Sequence, residues 1–232
     1  MTRFSWTTKL RGVLYTVIPV FIFCAALSAC SGAWAGINEN TVRRAWRDVT
    51  YAAKMELLPL SIKEDKSPNA WVTAGQSVTV TTGLMELLES RAEIFGVLAH
   101  EAGHAKLGHY EKRVSNAAGI GLATAVLGYV IGDSTLANVA LGIGSNLATA
   151  GFSREQEVAA DDFSVDLAFS GHSDPTGLYT ALRRISIFGG ETTPSGFNSH
   201  PPDERRLKHV KERILSKKPD AVFKEIEKKK AD

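Results

Sequence analysis

Apolar positions recur at a helical period along most of the chain. Their spacing predicts helices over residues 37–57, 90–110 and 153–170, a helix that begins near residue 174, and a last helix from residue 203. Ser90 with Glu93, and Ser153 with Gln156, have the spacing of capping boxes and mark two of these N-termini. The pattern therefore predicts a mostly helical protein.

Strand-like alternation is confined to the stretch between the first two long helices. Leu60 and Ile62 alternate with polar residues, and β-rich runs follow at residues 70–73 and 78–81. We expect a small antiparallel sheet packed on the helix over residues 90–110, which makes the fold class α+β. The outer strand of such a sheet can bind an extended substrate main chain to main chain. A sheet that is only scaffold is the alternative.

Residues 117–150 form an apolar segment rich in glycine. Its two halves, residues 117–132 and 136–150, contain no charged side chain. Each half is shorter than the roughly 20 residues that a transmembrane helix needs. The segment is interpreted either as a buried helical hairpin with close packing of small residues, or as a hairpin that faces a membrane or an envelope protein partner.

Residues 1–29 have the pattern of an export signal, with three basic residues before an apolar run that ends in small side chains. Residues 27–30 (LSAC) resemble a bacterial lipobox, which predicts that Cys30 is lipidated and anchors the protein to a membrane. Two alternatives stay open. Cleavage after residues 33–35 (AWA) would give a soluble periplasmic protein, and an uncleaved apolar run would be a membrane anchor.

Composition and charge limit the function classes. The chain has 232 residues, 44% of them hydrophobic, which is enough for one core, and its formal net charge of +2 gives no basic surface for nucleic acid. Cys24 would leave with the signal and Cys30 would carry lipid, so no thiol pair remains for a disulfide or a cysteine zinc site. Beyond the signal we expect a linker at residues 30–36, a globular domain at 37–216 and a charged tail at 217–232.

Three polar residues, His100, Glu101 and His104, lie on the predicted helix over residues 90–110. Four residues advance a helix by about 400°, so the two imidazoles share a face and can reach one metal ion at Zn–N distances of about 2.0–2.1 Å. Glu101 lies beside them, where a general base acting on water is expected. The pattern predicts one zinc ion per chain.

A catalytic zinc site needs a third protein ligand. The candidate is Glu157, and Asp161, four residues on, can accept the remaining N–H of a ligating histidine. The alternative is that both are surface acids of their helix. His109 is predicted to face away from the site, because it lies about 140° round the helix from His104. We expect it at the helix C-terminus, where its charge suits the dipole.

Together these motifs resemble the HtpX/Oma-type gluzincin metallopeptidases, peptidase family M48. The resemblance rests on HEAGH at residues 100–104, EVAAD at 157–161 and HPP at 200–202 with Arg206, and on shorter matches at 69–71, 82–84 and 97–99. It covers about residues 40 to 215 and is greatest to the periplasmic lipoprotein members of the LoiP and BepA type. The chain lacks the tetratricopeptide repeats of the BepA type and the clear membrane helices of the integral members.

The resemblance implies a zincin fold and a zinc endopeptidase that acts on misfolded or membrane-associated proteins, at the periplasmic side of the outer membrane. It assigns His200 to the active site, as a donor to the oxyanion or as a fourth zinc ligand that displaces water. Arg206 is predicted to pair with an acid such as Asp161 or Asp162, a solvated helix residue being the alternative. The competing function is an envelope assembly factor or chaperone with a mostly closed zinc site.

Overall fold

The computed structural model describes residues 36–73, 77–131, 151–171, 173–188, 200 and 202–226. These ranges contain α1 (Glu39–Ala52), β1 (Leu60–Lys63), β2 (Ala70–Thr73), β3 (Ser77–Thr81), α2 (Thr82–Leu87), α3 (Arg91–Lys106), α4 (His109–Ile131), α5 (Arg154–Ser170), α6 (Gly177–Phe188) and α7 (Glu204–Lys217). The mostly helical prediction is confirmed. The predicted signal, Cys30 and residues 132–150 lie outside the described residues.

Helix α1 forms where the apolar spacing predicts it. Asn38 caps its N-terminus, and apolar side chains at helical spacing are buried: Val42, Trp46 and Val49. The helix ends at Ala52, five residues before the predicted end at residue 57. Lys54 has a φ of +50°, and this left-handed conformation turns the chain out of the helical path.

The three strands form a mixed sheet in the order β1-β3-β2, with β1 parallel to β3 and β2 antiparallel to β3. The antiparallel prediction is therefore wrong for the β1–β3 pair. Strands β2 and β3 are close in sequence and pair with each other in antiparallel orientation. Strand β1 pairs directly with β3, although β2 lies between them in the sequence. This arrangement puts β2 at an edge of the sheet.

Helix α3 lies at the centre of the domain and packs against α1, α5, α6 and β2. Every residue from Glu93 to His104 is buried, because other elements cover the helix on all sides. Two glycines permit this packing. A Cβ at Gly96 would lie 2.5 Å from the backbone nitrogen of Leu178 in α6, and one at Gly103 would lie 3.2 Å from Cα of Ala160 in α5.

The predicted single helix over residues 90–110 is two helices. The Ser90–Glu93 capping box forms at the N-terminus of α3. The helix then ends at Lys106, and Gly108, with a φ of +64°, turns the chain before α4 begins at His109. Glycine adopts this left-handed conformation without a steric penalty. Because of this break, side chains after Gly108 point in directions that a continuous helix would not predict.

Helix α4 exposes a group of large apolar side chains: Ile120, Leu122, Val126 and Val130. Within the described ranges, no helix combines the length and apolar character that crossing a membrane requires. The described half of the 117–150 segment thus presents an apolar surface. The partner of that surface, whether residues 132–150, a lipid or a protein, stays a prediction.

Candidate metal centre

Two helices and one loop residue bring the candidate ligands together. His100 and His104 lie one turn apart on α3, and Glu157 lies in the first turns of α5, which begins with the predicted Ser153–Gln156 capping box. The close approach of α3 and α5 at Gly103 sets the distance between these helices. His200, just before α7, completes a cluster of four buried donors, His100, His104, Glu157 and His200.

The donor atoms converge on one point. Nε2 of His100 lies 3.1 Å from Nε2 of His104 and 3.5 Å from Oε2 of Glu157. Nε2 of His104 lies 3.4 Å from Oε1 of Glu157. Nδ1 of His200 lies 2.8 Å from that oxygen and 3.4 Å from Nε2 of His100.

These separations fit a tetrahedral metal ion. With metal–nitrogen bonds of about 2.0–2.1 Å, tetrahedral zinc holds its ligand atoms about 3.3 Å apart. Three imidazoles and one carboxylate are also the nitrogen and oxygen ligands that zinc binds in proteins. Both geometry and donor type therefore fit Zn²⁺ better than Mg²⁺ or Ca²⁺, which prefer oxygen.

A buried ion-pair network surrounds the cluster. Nδ1 of His100 lies 2.9 Å from Oδ1 of Asp161. Arg206 holds both oxygens of Asp161, at 2.9 and 2.7 Å, and its Nη1 lies 2.8 Å from Oε2 of Glu157. Nη1 also donates to the backbone carbonyl of His200 at 2.9 Å. One arginine thus ties α5 to the loop that carries His200, as the sequence predicted for its pairing with Asp161.

His109 lies beside the cluster, so the prediction that it faces away is wrong. Its Nδ1 lies 3.0 Å from Nδ1 of His104, and the side chain is buried. The prediction assumed a continuous helix, but Gly108 breaks it. Phe152 was also missed, and its ring stacks on that of His104 with centroids 3.9 Å apart. A glycine just past a helical pattern is a C-terminal signal, and it could have located His109.

Glu101 is a buried carboxylate next to the donors. Its Oε1 has no hydrogen-bond partner among the described residues and lies 3.8 Å from Nε2 of His200. Burial raises the pKa of Glu101, while the nearby imidazoles of His200 and His100 act in the opposite direction. A carboxylate with a raised pKa and an open lone pair is suited to accept a proton.

The histidines of α3 differ in protonation before a metal binds. Burial alone lowers the pKa of His100, but hydrogen bonds to Asp161 and Glu157 outweigh it and raise the pKa to about 9. Burial lowers the pKa of His104 to about 2, so this imidazole is neutral. Despite burial, hydrogen bonds from the histidines hold the pKa of Glu157 far below its usual range. Glu157 is therefore ionised, whereas His100 must lose a proton before its Nε2 can bind a metal ion.

A cavity of about 250 Å³ opens beside the cluster. Glu101, His104 and His200 line the cavity, together with residues 71–73 of β2 and with Tyr110 and Arg113 of α4. The edge strand of the sheet thus faces the space next to the donors. An extended chain in this cavity would lie within reach of both the strand and Glu101.

Comparison with known proteins gives consistent matches. A family model described as Peptidase family M48 matches residues 37–214. The chain is 37% identical over 152 residues to Metalloprotease YcaL of Escherichia coli, covering 65% of this chain and 59% of YcaL. It is 33% identical over 153 residues to Metalloprotease LoiP of the same organism, covering 64% and 60%. The matched part spans about three fifths of the length of each relative.

A more distant match extends the comparison to eukaryotes. The chain is 24% identical over 159 residues to Mitochondrial metalloendopeptidase OMA1 of Arabidopsis thaliana, covering 68% of this chain and 32% of that protein. These matches confirm the resemblance to peptidase family M48 that the sequence motifs indicate.

Proposed function

The chain belongs to peptidase family M48, and from this premise we propose that it is a zinc metalloendopeptidase. One observation carries the proposal. The donor atoms of His100, His104 and Glu157 lie 3.1 to 3.5 Å apart, and the buried carboxylate of Glu101 lies beside them with an open lone pair. A site of this composition is suited to hydrolysis of an amide bond.

Each residue has a separate role in the proposed mechanism. His100, His104 and Glu157 would hold one zinc ion, which when bound supplies Lewis acidity toward water and the scissile carbonyl. Glu101 accepts a proton from the attacking water and delivers it to the leaving amine. Asp161 fixes the imidazole of His100 through its Nδ1, and Arg206 holds Asp161 in turn.

Protein or peptide substrates would bind along β2. The strand is at the edge of the sheet, and residues 71–73 line the cavity beside the donors. An extended peptide can add to such an edge through main-chain hydrogen bonds, which confer little dependence on side-chain identity. This mode suits an enzyme that cleaves unfolded chains.

His200 is proposed to act in one of two ways, as a donor to the oxyanion or as a fourth zinc ligand that closes the site. The position of its Nδ1, 2.8 Å from Oε1 of Glu157 and 3.4 Å from Nε2 of His100, supports the second role in this conformation. A fourth protein ligand occupies the position that water needs. In that role His200 would have to leave before turnover.

The location that we propose is the periplasmic side of the outer membrane, with the chain anchored through lipidated Cys30. The lipobox-like residues 27–30 support this location. The proposed physiological role is degradation of misfolded or membrane-associated envelope proteins. The similarity to YcaL and LoiP supports the proteolytic part of this role. A soluble periplasmic form, cut after residue 35, is the alternative.

A second candidate function is an envelope assembly factor or chaperone. The fourth donor from His200 favours it, because a site closed by four protein ligands is typical of structural zinc. In that case the cavity along β2 would bind clients without cleaving them.

Glu101→Gln separates the two functions. The amide cannot accept a proton, so cleavage of casein by the zinc-loaded protein should fall by at least about 100-fold while zinc content is unchanged. Glu204→Gln, at an exposed position of α7, is the matched control and should cleave normally. A wild-type protein that binds zinc and unfolded casein but never cleaves it would instead support the chaperone function.

A further inference from the structure

The two histidines of α3 have different partners on the side away from the cluster. His100 points Nε2 at the other donors and has Nδ1 2.9 Å from the carboxylate of Asp161. His104 also points Nε2 at the donors, but its Nδ1 lies 3.0 Å from Nδ1 of His109. One ligand is thus oriented by a carboxylate and the other by a second imidazole.

The fold places His109 at this position with little freedom. The left-handed conformation of Gly108 ends the path of α3, and α4 begins with the side chain of His109 in contact with His104. His109 is 4% exposed. Its backbone carbonyl accepts a hydrogen bond from Nε2 of Gln156 at 3.4 Å, which connects the start of α4 to α5.

The protonation pattern follows from these contacts. A ligating Nε2 must present its lone pair, so the proton of neutral His104 resides on Nδ1. That N–H needs an acceptor in a buried site, and Nδ1 of His109 is the atom within reach. His109 must then carry its own proton on Nε2.

We propose that His109 is a positioning residue for the metal site, which fixes the tautomer and ring orientation of His104 through the Nδ1–Nδ1 hydrogen bond. The proposal rests on the proposed function, because it takes His104 as a zinc ligand. It assigns to an imidazole the role that Asp161 has toward His100. Without this acceptor, His104 can place its proton on Nε2 and no longer bind zinc through that atom.

The test compares His109→Leu with His109→Asn. The two side chains are nearly equal in shape, and Oδ1 of asparagine takes the place of Nδ1 of histidine, so only the variant with asparagine keeps an acceptor. Zinc affinity is measured by competition with a chelator. Loss of such an outer partner typically weakens binding 10–100-fold, which we expect for leucine, whereas asparagine should stay within about threefold of wild type.

His209→Leu controls for loss of a histidine elsewhere. His209 bonds Asp162 on the outer side of α5 and α7, about a third exposed, and its loss should leave zinc affinity unchanged. Equal losses in the leucine and asparagine variants of His109 would indicate packing alone and overturn the proposal. Unchanged affinity in both would overturn it as well.

A measurement on the wild-type chain does not depend on whether a variant folds. In ¹H–¹⁵N spectra of the zinc-loaded protein, His104 should be protonated on Nδ1 and His109 on Nε2. A proton on Nδ1 of His109 would refute the proposed bond while leaving zinc binding and proteolysis intact. A wild-type protein that binds no zinc would instead overturn the proposed function and this inference with it.

Discussion

Three charged residues of the metal centre, Glu157, Asp161 and Arg206, are buried and paired with one another. Asp161 is fully buried, and Arg206 binds it through two hydrogen bonds. Despite burial, these bonds and the contact with His100 hold the pKa of Asp161 below its usual range. Removing one partner from such a buried pair costs about 3–5 kcal/mol. A substitution at one residue of the network therefore leaves the buried charge of another without its partner.

Glu157→Ala tests the third ligand. Without this carboxylate, Arg206 would face the metal with no negative charge between them, since its Nη1 lies 2.8 Å from Oε2 of Glu157. We expect zinc affinity to fall about 100-fold or more, measured by chelator competition and metal analysis. Glu155→Ala, an exposed residue in the same turn of α5, is the control. Full zinc content in Glu157→Ala would exclude this residue as a ligand.

His200→Ala distinguishes the two roles of that residue. Because Nδ1 of His200 lies among the donors, we expect the substitution to open the fourth position to water and to raise peptide turnover at least about twofold. Turnover is measured at a saturating zinc concentration, so that a lower affinity for zinc does not affect the measured rate. A loss of about 100-fold with zinc retained would assign the donor role instead.

At the scale of elements, the approach of α3 to its neighbours positions the site. Helix α3 contacts α6 through two glycines, one on each helix. A Cβ at Gly96 would lie 2.5 Å from the backbone nitrogen of Leu178, and one at Gly177 would lie 2.1 Å from the carbonyl oxygen of Ala92. Both contacts are with backbone atoms, which cannot move aside as a side chain can. The helices must separate to accommodate a methyl group.

Gly96→Ala should therefore lower the free energy of unfolding by about 1–3 kcal/mol, as overpacking usually does. Gly119→Ala is the matched control, because a Cβ at Gly119 meets nothing within 4 Å. Since alanine favours a helix over glycine by up to about 1 kcal/mol, this change should stabilise α4 slightly or have no effect. Urea denaturation of both variants measures the difference, and equal stabilities would contradict the packing argument.

At the scale of the whole molecule, the proposed lipid anchor lies close in sequence to the globular part. The family model begins at residue 37, close to the start of α1 at Glu39. Between Cys30 and that helix lie eight residues, 31–38, each with a reach of at most about 3.3–3.6 Å. A lipid on Cys30 would hold the domain close to the membrane surface.

Cys30→Ser tests this anchor. The hydroxyl cannot form the thioether to lipid, so the protein should appear in the soluble fraction or keep its uncut signal, detected by membrane fractionation and N-terminal analysis. Cys24→Ser is the control, because that thiol would leave with the signal and fractionation should not change. Unaltered membrane association of Cys30→Ser with an N-terminus at Gly36 would be inconsistent with lipidation.

Local sequence patterns determined the features that depend on neighbours within one or two turns. The capping boxes at Ser90 and Ser153 form, and in the last helix the apolar residues at helical spacing, Leu207, Val210 and Ile214, are buried. The shared face of His100 and His104 follows from helix geometry alone. These features were predictable because the backbone within a helix has one regular path.

Only the tertiary structure decided what depends on distant segments meeting. It paired β1 with β3 in parallel, brought Arg206 to Glu157 and Asp161 of α5, and placed Nδ1 of His200 among the donors. It also turned His109 toward His104 through a single left-handed glycine. Residue spacing does not encode such contacts, because they depend on how α3, α5 and His200 pack together. A break in a helix, as at Gly108, also changes the direction in which every later side chain points.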